Sequence, residues 1–250
     1  MADKHLLDDD SHSHHNMLGH CNDDDRRGFV VKVYGILAVM MSVTFGSVAA
    51  VNLNEDLNDS MIDPNNGVAI GLFWTSWIVG IICQCAIACC MKVARKVPLN
   101  YILLGIFTLC WAYMVTFICA FYEQAAVLQA SVSTAAITIT LTAYAMFTKT
   151  DFTKMCGAFM CWGLLLILMV QMFLSLLSIF IFTFTDTWIP FVAGFGVILY
   201  GLFLIVDTQL ILGGKRYELT IDDFVIGAMI LYLDIIMIFL YLLKIFGGNR

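Results

Sequence analysis

The sequence predicts an all-α, polytopic membrane protein built as a bundle of seven transmembrane helices. Hydrophobic residues make up 61% of the 250-residue chain, charged residues only 13%, and the mean hydropathy is +0.88. A soluble core cannot bury that much apolar surface. In addition, apolar runs recur at the length of roughly 17–25 residues that a helix needs to cross a bilayer.

Seven apolar segments follow one another, separated by charges, short polar turns or clusters of Gly, Pro and Asn. We predict spans at Phe29–Val51, Val68–Met91, Leu99–Phe121, Ala125–Phe147, Cys156–Phe182, Trp188–Leu212 and Phe224–Phe246. These segments are apolar on every face, whereas the strands of a membrane barrel would alternate over about ten residues. Residues 29–250 are therefore predicted to form one transmembrane domain.

Residues 1–28 have a different composition from the rest of the chain. They include aspartates at 8–10 and again at 23–25, together with all five histidines of the protein. This composition predicts a disordered, acidic, His-rich cytosolic tail. The tail lacks the basic region and cleavage site of a signal peptide, so we expect the first span to act as an uncleaved insertion signal.

The basic residues predict the orientation, because positively charged loops stay in the cytosol. Lys and Arg flank the start of the first span and follow the second, fourth and sixth spans, which places the amino terminus in the cytosol. The other loops contain no Lys or Arg and carry the acids Glu55, Asp56, Asp59, Asp63, Glu123 and Asp186. We expect these outer acids to attract cations. The outer sequon Asn58-Asp59-Ser60 makes Asn58 a candidate glycosylation site.

The last span leaves an alternative open. If it crosses fully, Lys244 and Arg250 lie on the outer side, against the charge pattern of the other loops. A re-entrant last segment would instead keep both residues in the cytosol.

Two aspartates, Asp207 and Asp234, lie inside predicted spans. An aspartate near mid-bilayer costs on the order of 2.5–3.5 kcal/mol, and no span offers a central Lys or Arg as counter-ion. Bringing the two carboxyls together to share one proton would reduce this cost, because like charges at close range cannot both ionise cheaply. The pair would then sense pH. The alternative is two separate protonated aspartates, each hydrogen-bonded to a neighbouring helix.

Helix geometry sets a condition on this pairing. At 1.5 Å per residue, Asp207 lies about 8 Å and Asp234 about 16 Å from the cytosolic ends of their helices. The carboxyls meet only if the last helix begins below the membrane surface. Thr220 as a cap, with Asp223 at the third helical position, would allow such a start. We expect Asp222 and Asp223 to face water there.

The runs around these aspartates carry a family resemblance. Leu199–Ile211 (LYGLFLIVDTQLI) and Asp222–Ile236 (DDFVIGAMILYLDII) resemble late motifs of the transmembrane Bax-inhibitor-motif family, lifeguard branch. Earlier pieces agree in order and spacing: FVVKVY at 29–34, PLN at 98–100 and TKTDFT at 148–153. The resemblance extends from about Arg26 to Phe246. Two positions depart from it. Val206 replaces a frequent Tyr before the first aspartate, and Met237 replaces a frequent Asn one turn after the second, which removes a hydrogen-bonding group near Asp234.

The resemblance implies a seven-helix bundle with the last helix central, in the endoplasmic reticulum, Golgi or a related endomembrane. It also implies a Ca²⁺-permeable leak that regulates calcium homeostasis and suppresses cell death, with the family's paired aspartates at Asp207 and Asp234. In such a leak these two carboxyls would bind Ca²⁺ weakly, because they offer at most four of the 6–8 oxygen ligands that Ca²⁺ takes. The expected partners are the lipid bilayer, Ca²⁺ as the transported ion, protons as regulator, and membrane proteins of apoptosis or stress signalling. We expect no resident cofactor, no nucleic-acid partner and no enzymatic activity.

Competing classes fit less well. An intramembrane aspartyl protease would need Gly-x-Gly-Asp at one aspartate and a Pro-Ala-Leu motif, and neither is present. A retinal protein would need a central Lys in the last span, which the sequence lacks. The alternative that stays open is a non-conducting membrane protein that inhibits apoptosis or stress signalling through partners.

Overall fold

The computed structural model describes residues 23–63, 66–153, 189–213 and 219–247. Over these residues it consists of helices joined by short turns, without a β-strand. The α-helices are α1 (Asp23–Asn52), α2 (Glu55–Ile62), α3 (Gly67–Cys89), α4 (Met91–Ala94), α5 (Leu99–Ala120), α6 (Gln124–Phe147), α7 (Ile189–Leu212) and α8 (Phe224–Phe246). Six of these helices, all except α2 and α4, are long and apolar enough to cross a membrane. The all-α polytopic fold is therefore confirmed. The predicted fifth span, Cys156–Phe182, and tail residues 1–22 lie outside the described residues.

The ends of the long helices fall within two residues of the predicted span ends, with one exception. Helix α1 begins at Asp23, so residues 23–28, which we assigned to the tail, are helical. Consecutive aspartates at 23–25 favour this earlier start, because acidic side chains stabilise the positive N-terminal end of a helix. The apolar run marks where the membrane span begins, and the helix extends one to two turns beyond it.

Local capping explains where several helices begin and end. The side chains of Asn54 and Asn66 accept hydrogen bonds from backbone N–H groups in the first turns of α2 and α3. Helix α7 ends at Leu212 and is followed by Gly213, whose φ of 68° is a left-handed conformation that favours glycine. Before α8, Thr220 and Asp223 form the predicted capping box around a short 3₁₀ turn.

Helix α8 is the central helix of the bundle. Within its membrane-crossing window 78% of the residues are buried, compared with 22% in both α3 and α6. It packs against α1, α5, α6 and α7, and more lightly against α3. A helix with a mostly uncharged, apolar surface on all sides is the one that the others can surround.

Helix α8 also runs the full height of the bundle, parallel to α1. Near its start, the Lys32 ammonium of α1 lies 5.8 Å from the centroid of the Phe224 ring. Near its end, the rings of Phe45 and Phe239 pack edge to face at 5.2 Å. Beyond the last turn, Gly247 lies so close to Tyr122, in the turn between α5 and α6, that a Cβ on it would overlap the ring. This geometry favours a full crossing over the re-entrant alternative.

One end of the bundle gathers the basic connections. Arg95, between α4 and α5, is hydrogen-bonded to Asp223 just before α8. The amide of Gln209, near the end of α7, bonds to the Thr150 carbonyl and the Phe152 N–H, both at 2.9 Å, after α6. The basic residues located at or near this end are Arg26, Arg27, Lys32, Lys92, Arg95, Lys96 and Lys149.

The opposite end is acidic. The Gln124 amide, at the start of α6, donates to the Asn52 carbonyl at the end of α1, which joins the two outer turns. The described acids at this end are Glu55, Asp56, Asp59, Asp63 and Glu123, and all are exposed. Opposite charge at the two ends agrees with the alternation of loop charge along the chain.

Candidate ion-gating site

The carboxyls of Asp207 on α7 and Asp234 on α8 lie within hydrogen-bonding range of each other. Asp234 is 2% exposed, and its Oδ2 makes no hydrogen bond within the described part of the chain. Asp207 is partly buried. The structure thus brings together the two acids that the sequence identified, while their predicted gating role stays a prediction.

The described helices packed around this pair place no Lys or Arg beside it. On α1, Lys32 lies against Phe224, ten residues before Asp234 and about 15 Å along α8. Helices α3, α5 and α6 contain no Asp, Glu, Lys, Arg or His. On α8 the one base, Lys244, is ten residues from Asp234, about 15 Å along the helix. The two carboxyls therefore meet in apolar surroundings. Among the described residues, the charged group that acts on each aspartate is the other aspartate.

The register of α7 and α8 explains how residues of unequal depth meet. Gly227 of α8 lies against the side chain of Ile211, one residue before the end of α7. From that level Asp234 lies about 10 Å and Asp207 about 6 Å up the bundle, at 1.5 Å per residue. Since α8 begins about half a turn beyond the end of α7, the offset falls from about 8 Å to about 4 Å, which the side chains can bridge.

Asp223 does not face water, contrary to our expectation. It is 3% exposed and forms a two-point ion pair with Arg95, from Nε to Oδ1 at 2.8 Å and from Nη2 to Oδ2 at 3.1 Å. Arg95 Nη2 also donates to Thr220 Oγ1 at 3.0 Å. Asp222 is exposed, as expected. The sequence missed this pair because its members are 128 residues apart.

The hydrogen bond to Asp223 is the largest influence on Arg95 and raises the pKa of its guanidinium. Partial burial opposes that effect, and the nearby charges of Asp223 and Asp222 add to it. Arg95 therefore holds the start of α8 as a permanent cation.

Two buried polar side chains were not predicted from the sequence. Tyr200 of α7 is 1% exposed and lies within electrostatic range of Asp234, yet its hydroxyl has no hydrogen-bond partner among the described residues. Gln84 of α3 is also 1% exposed, and neither atom of its amide has such a partner. The available signal was only a single uncharged polar side chain within an apolar run, and such a residue does not reveal which partner it meets across the bundle.

The outer residues divide into two groups. The acids Glu55, Asp56, Asp59, Asp63 and Glu123 are exposed at the acidic end, and Asp186 lies outside the described residues. Asn58 is 3% exposed, sits within α2, and donates from Nδ2 to Asn52 Oδ1 at 3.4 Å. The fold therefore does not present Asn58 to solvent, and this geometry disfavours the predicted glycosylation.

The carboxyl pair alone cannot form a tight metal site. In residues 23–63, 66–153, 189–213 and 219–247, no group of three or more His, Cys, Asp or Glu side chains could hold a metal ion. Ca²⁺ takes 6–8 oxygen ligands, and two carboxylates offer at most four. A cation at Asp207 and Asp234 would keep part of its water, which suits weak binding and release.

Comparison with known proteins places the chain in a family. A family model described as "Inhibitor of apoptosis-promoting Bax1" matches residues 26–250, nine tenths of the chain. The chain belongs to this Bax-inhibitor family. The match begins near the start of α1 and includes both aspartates of the candidate site.

The relatives place this Bax-inhibitor protein in the lifeguard branch. It is 33% identical to mouse Protein lifeguard 3 over 90% of this chain and 72% of that protein. It is 31% identical to human Protein lifeguard 3 over 91% of this chain and 71% of that protein. It is 32% identical to Protein LIFEGUARD 4 of Arabidopsis thaliana over 88% and 85% of the two chains. The resemblance seen in the sequence motifs is confirmed.

Proposed function

We propose that this lifeguard-branch protein is a pH-sensitive, Ca²⁺-permeable leak of an endomembrane, gated by Asp207 and Asp234. The observation that carries the proposal is the placement of two carboxyls within hydrogen-bonding range beside described helices, α3, α5 and α6, that contain no base. Such a pair is stable when it shares a proton and unstable when both members are charged.

Gating follows from this difference. With one shared proton, a hydrogen bond between the carboxyls holds α7 against the central α8. Without it, two unit charges 4 Å apart repel by about 4 kcal/mol at an effective dielectric constant near 20. That energy shifts a two-state equilibrium by about a thousandfold, so loss of one proton can separate the helices and admit a hydrated cation. Flux should therefore rise with cytosolic pH.

The two charged ends support a direction for the ion path. We place the basic end in the cytosol and the exposed outer acids on the lumenal side, by the positive-inside rule. Acidic side chains concentrate cations at a mouth within a screening distance of about 8 Å. The path would then lead from the acidic end along α8 to the carboxyl pair near the basic end.

The cellular role rests on the relatives. The matching family is described as an inhibitor of apoptosis-promoting Bax1, and the relatives are named lifeguard proteins. We infer that this chain regulates calcium homeostasis and suppresses cell death in the endoplasmic reticulum, Golgi or a related membrane. Contacts with membrane proteins of apoptosis or stress signalling would be a second route to the same outcome.

Purified protein reconstituted into Ca²⁺-loaded liposomes distinguishes a leak from a purely interacting protein. We expect Ca²⁺ efflux above that of protein-free liposomes, rising as the pH on the basic face increases. The Asp222→Asn variant should give the same profile, because Asp222 is exposed and outside the pair. Efflux equal to that of empty liposomes at every pH would support the non-conducting alternative.

A further inference from the structure

Two buried polar atoms, one of them in the carboxyl pair itself, have no hydrogen-bond partner in the described part of the chain. They are the hydroxyl Oη of Tyr200 and the carboxyl Oδ2 of Asp234, whose side chains are 1% and 2% exposed. Neither atom makes a hydrogen bond among the described residues, although Tyr200 lies within electrostatic range of Asp234. From the level at which Gly227 packs against Ile211, Tyr200 lies about 6 Å further up the bundle than Asp234, at 1.5 Å per residue, and the two groups make no direct bond.

Leaving both atoms without a partner would be costly inside a membrane bundle, where no bulk water is available. A tyrosine hydroxyl can donate and accept, and a carboxyl oxygen can accept. A single water molecule can satisfy both, and buried waters typically serve otherwise unsatisfied polar groups in this way. We propose that a buried water bridges Tyr200 Oη and Asp234 Oδ2, which makes Tyr200 a positioning residue for the carboxyl pair.

Aromatic packing fixes the position of the Tyr200 hydroxyl. The Tyr200 ring lies 5.8 Å from the ring of Tyr241 on α8 and 5.9 Å from that of Phe203 on its own helix. Tyr241 in turn packs over Gly196, where a Cβ would lie only 2.7 Å from the Tyr241 ring. The close approach of α7 and α8 at Gly196 thus packs Tyr200 and Tyr241 against each other, and this packing restricts the orientation of the Tyr200 ring.

The bridging water would act on the ionisation of the pair. It donates to Asp234 and so stabilises the carboxylate relative to the neutral acid. Two other tyrosines near α7 and α8 have protein partners for their hydroxyls, so Tyr200 is the one that would hold the water. Tyr34 of α1 faces Thr142 and Thr208, and Tyr232 is bonded to Thr44. Helices α3, α5 and α6 carry no Asp, Glu, Lys, Arg or His, and the base of α8, Lys244, is near its far end. On α1, Lys32 lies against Phe224 at the start of α8, ten residues before Asp234.

The inference rests on the proposed titrating pair, but it does not require ion conduction, so the test is spectroscopic. We suggest pH-difference infrared spectra of the full protein in lipid, recorded in H₂¹⁶O and H₂¹⁸O. The variants are Tyr200→Phe and the matched control Tyr232→Phe. Both changes remove a fully buried hydroxyl and keep the ring, but the Tyr232 hydroxyl has a protein partner, Thr44, at 2.8 Å.

We expect wild type and Tyr232→Phe to show an isotope-sensitive water O–H band that titrates with a carboxylic C=O band. In Tyr200→Phe the water band should be lost, and the pH midpoint of the C=O band should move to higher pH by about one unit, a tenfold change in proton affinity. An unchanged water band and midpoint in Tyr200→Phe would overturn the bridge and leave the pair intact. A wild-type spectrum without any titrating carboxylic band would instead overturn the proposed gate.

Thermal unfolding gives a second readout. If the Tyr200 hydroxyl were buried without water, removing it would relieve a desolvation penalty, and Tyr200→Phe would unfold at a higher temperature than wild type. The water bridge predicts an equal or lower unfolding temperature. A clear increase would therefore contradict the inference independently of the spectra.

Discussion

Asp222, Asp223 and Asp234 lie within 13 residues of one another and occupy three different environments. Asp222 is exposed, Asp223 is buried against Arg95, and Asp234 is buried with another acid. The difference comes from the direction in which each side chain points and from which neighbouring element packs against it. One residue type therefore serves as a solvated helix-start charge, a structural ion pair and a candidate proton site.

The Arg95 guanidinium keeps its charge throughout the physiological pH range. Its hydrogen bond to Asp223 raises the pKa of Arg95 above its usual value. A raised pKa of a cation means that its stabilising effect is fully present below the unfolded-state pKa. The effect is lost only when the pH rises through the folded-state value, so the cation persists at physiological pH.

We predict that Asp223→Asn lowers the free energy of unfolding by about 1–2 kcal/mol. A bond to a charged group contributes roughly 1.5–3 kcal/mol, and the exposed fraction of Arg95, 39% of its side chain, reduces that figure. Thermal unfolding in detergent measures the change. Asp222→Asn is the matched control and should unfold as wild type does. Equal stability of the two variants would show that the ion pair contributes nothing.

How far the sequence predicts single residues depends on charge. Asp207 and Asp234 could be identified because an acid in an apolar run must have a reason to be there. Asp223 could not be assigned, since its partner is distant in sequence and its neighbour Asp222 looks equivalent. Tyr200 was not identified because its importance depends on a neighbour across the α7–α8 contact.

At the scale of elements, apolar runs predicted the long helices, and capping residues set their ends. Helix α2 was not predicted, because a segment of eight residues is too short to form a stable isolated helix. It forms here with Asn54 as its cap and with Asn58 bonded to Asn52 at the end of α1. Tertiary contacts that the sequence pattern does not contain decide such short elements.

The full-height course of α8 predicts where the carboxyl terminus lies. In a cysteine-depleted background, a cysteine added after Arg250 should be labelled from the same side as one at Asp59, which is exposed at the acidic end. A cysteine at Lys96, exposed at the basic end, should be labelled only from the opposite side. Labelling of the terminal cysteine together with Lys96 would show that α8 does not cross.

At the scale of the whole molecule, the sequence predicted the bundle and the polarity of its ends, because lipid and the positive-inside rule constrain both. It did not predict the α7–α8 register, because helix lengths do not fix how far one helix extends beyond its neighbour. That register depends on Gly227 packing against Ile211 and on the start of α8 at the Arg95 pair. The candidate gate is therefore a property of the assembled bundle.

The central claim is that Asp207 and Asp234 act as one proton-sharing gate. Its most direct test is the pH profile of Ca²⁺ efflux from liposomes containing wild type, Asp207→Asn, Asp234→Asn or the double variant. An amide cannot titrate, so each single variant should flatten the profile, and the double variant should resemble the singles because coupled residues are non-additive. If both single variants keep the wild-type midpoint and amplitude, the paired-carboxylate gate is wrong, even if the protein still conducts Ca²⁺.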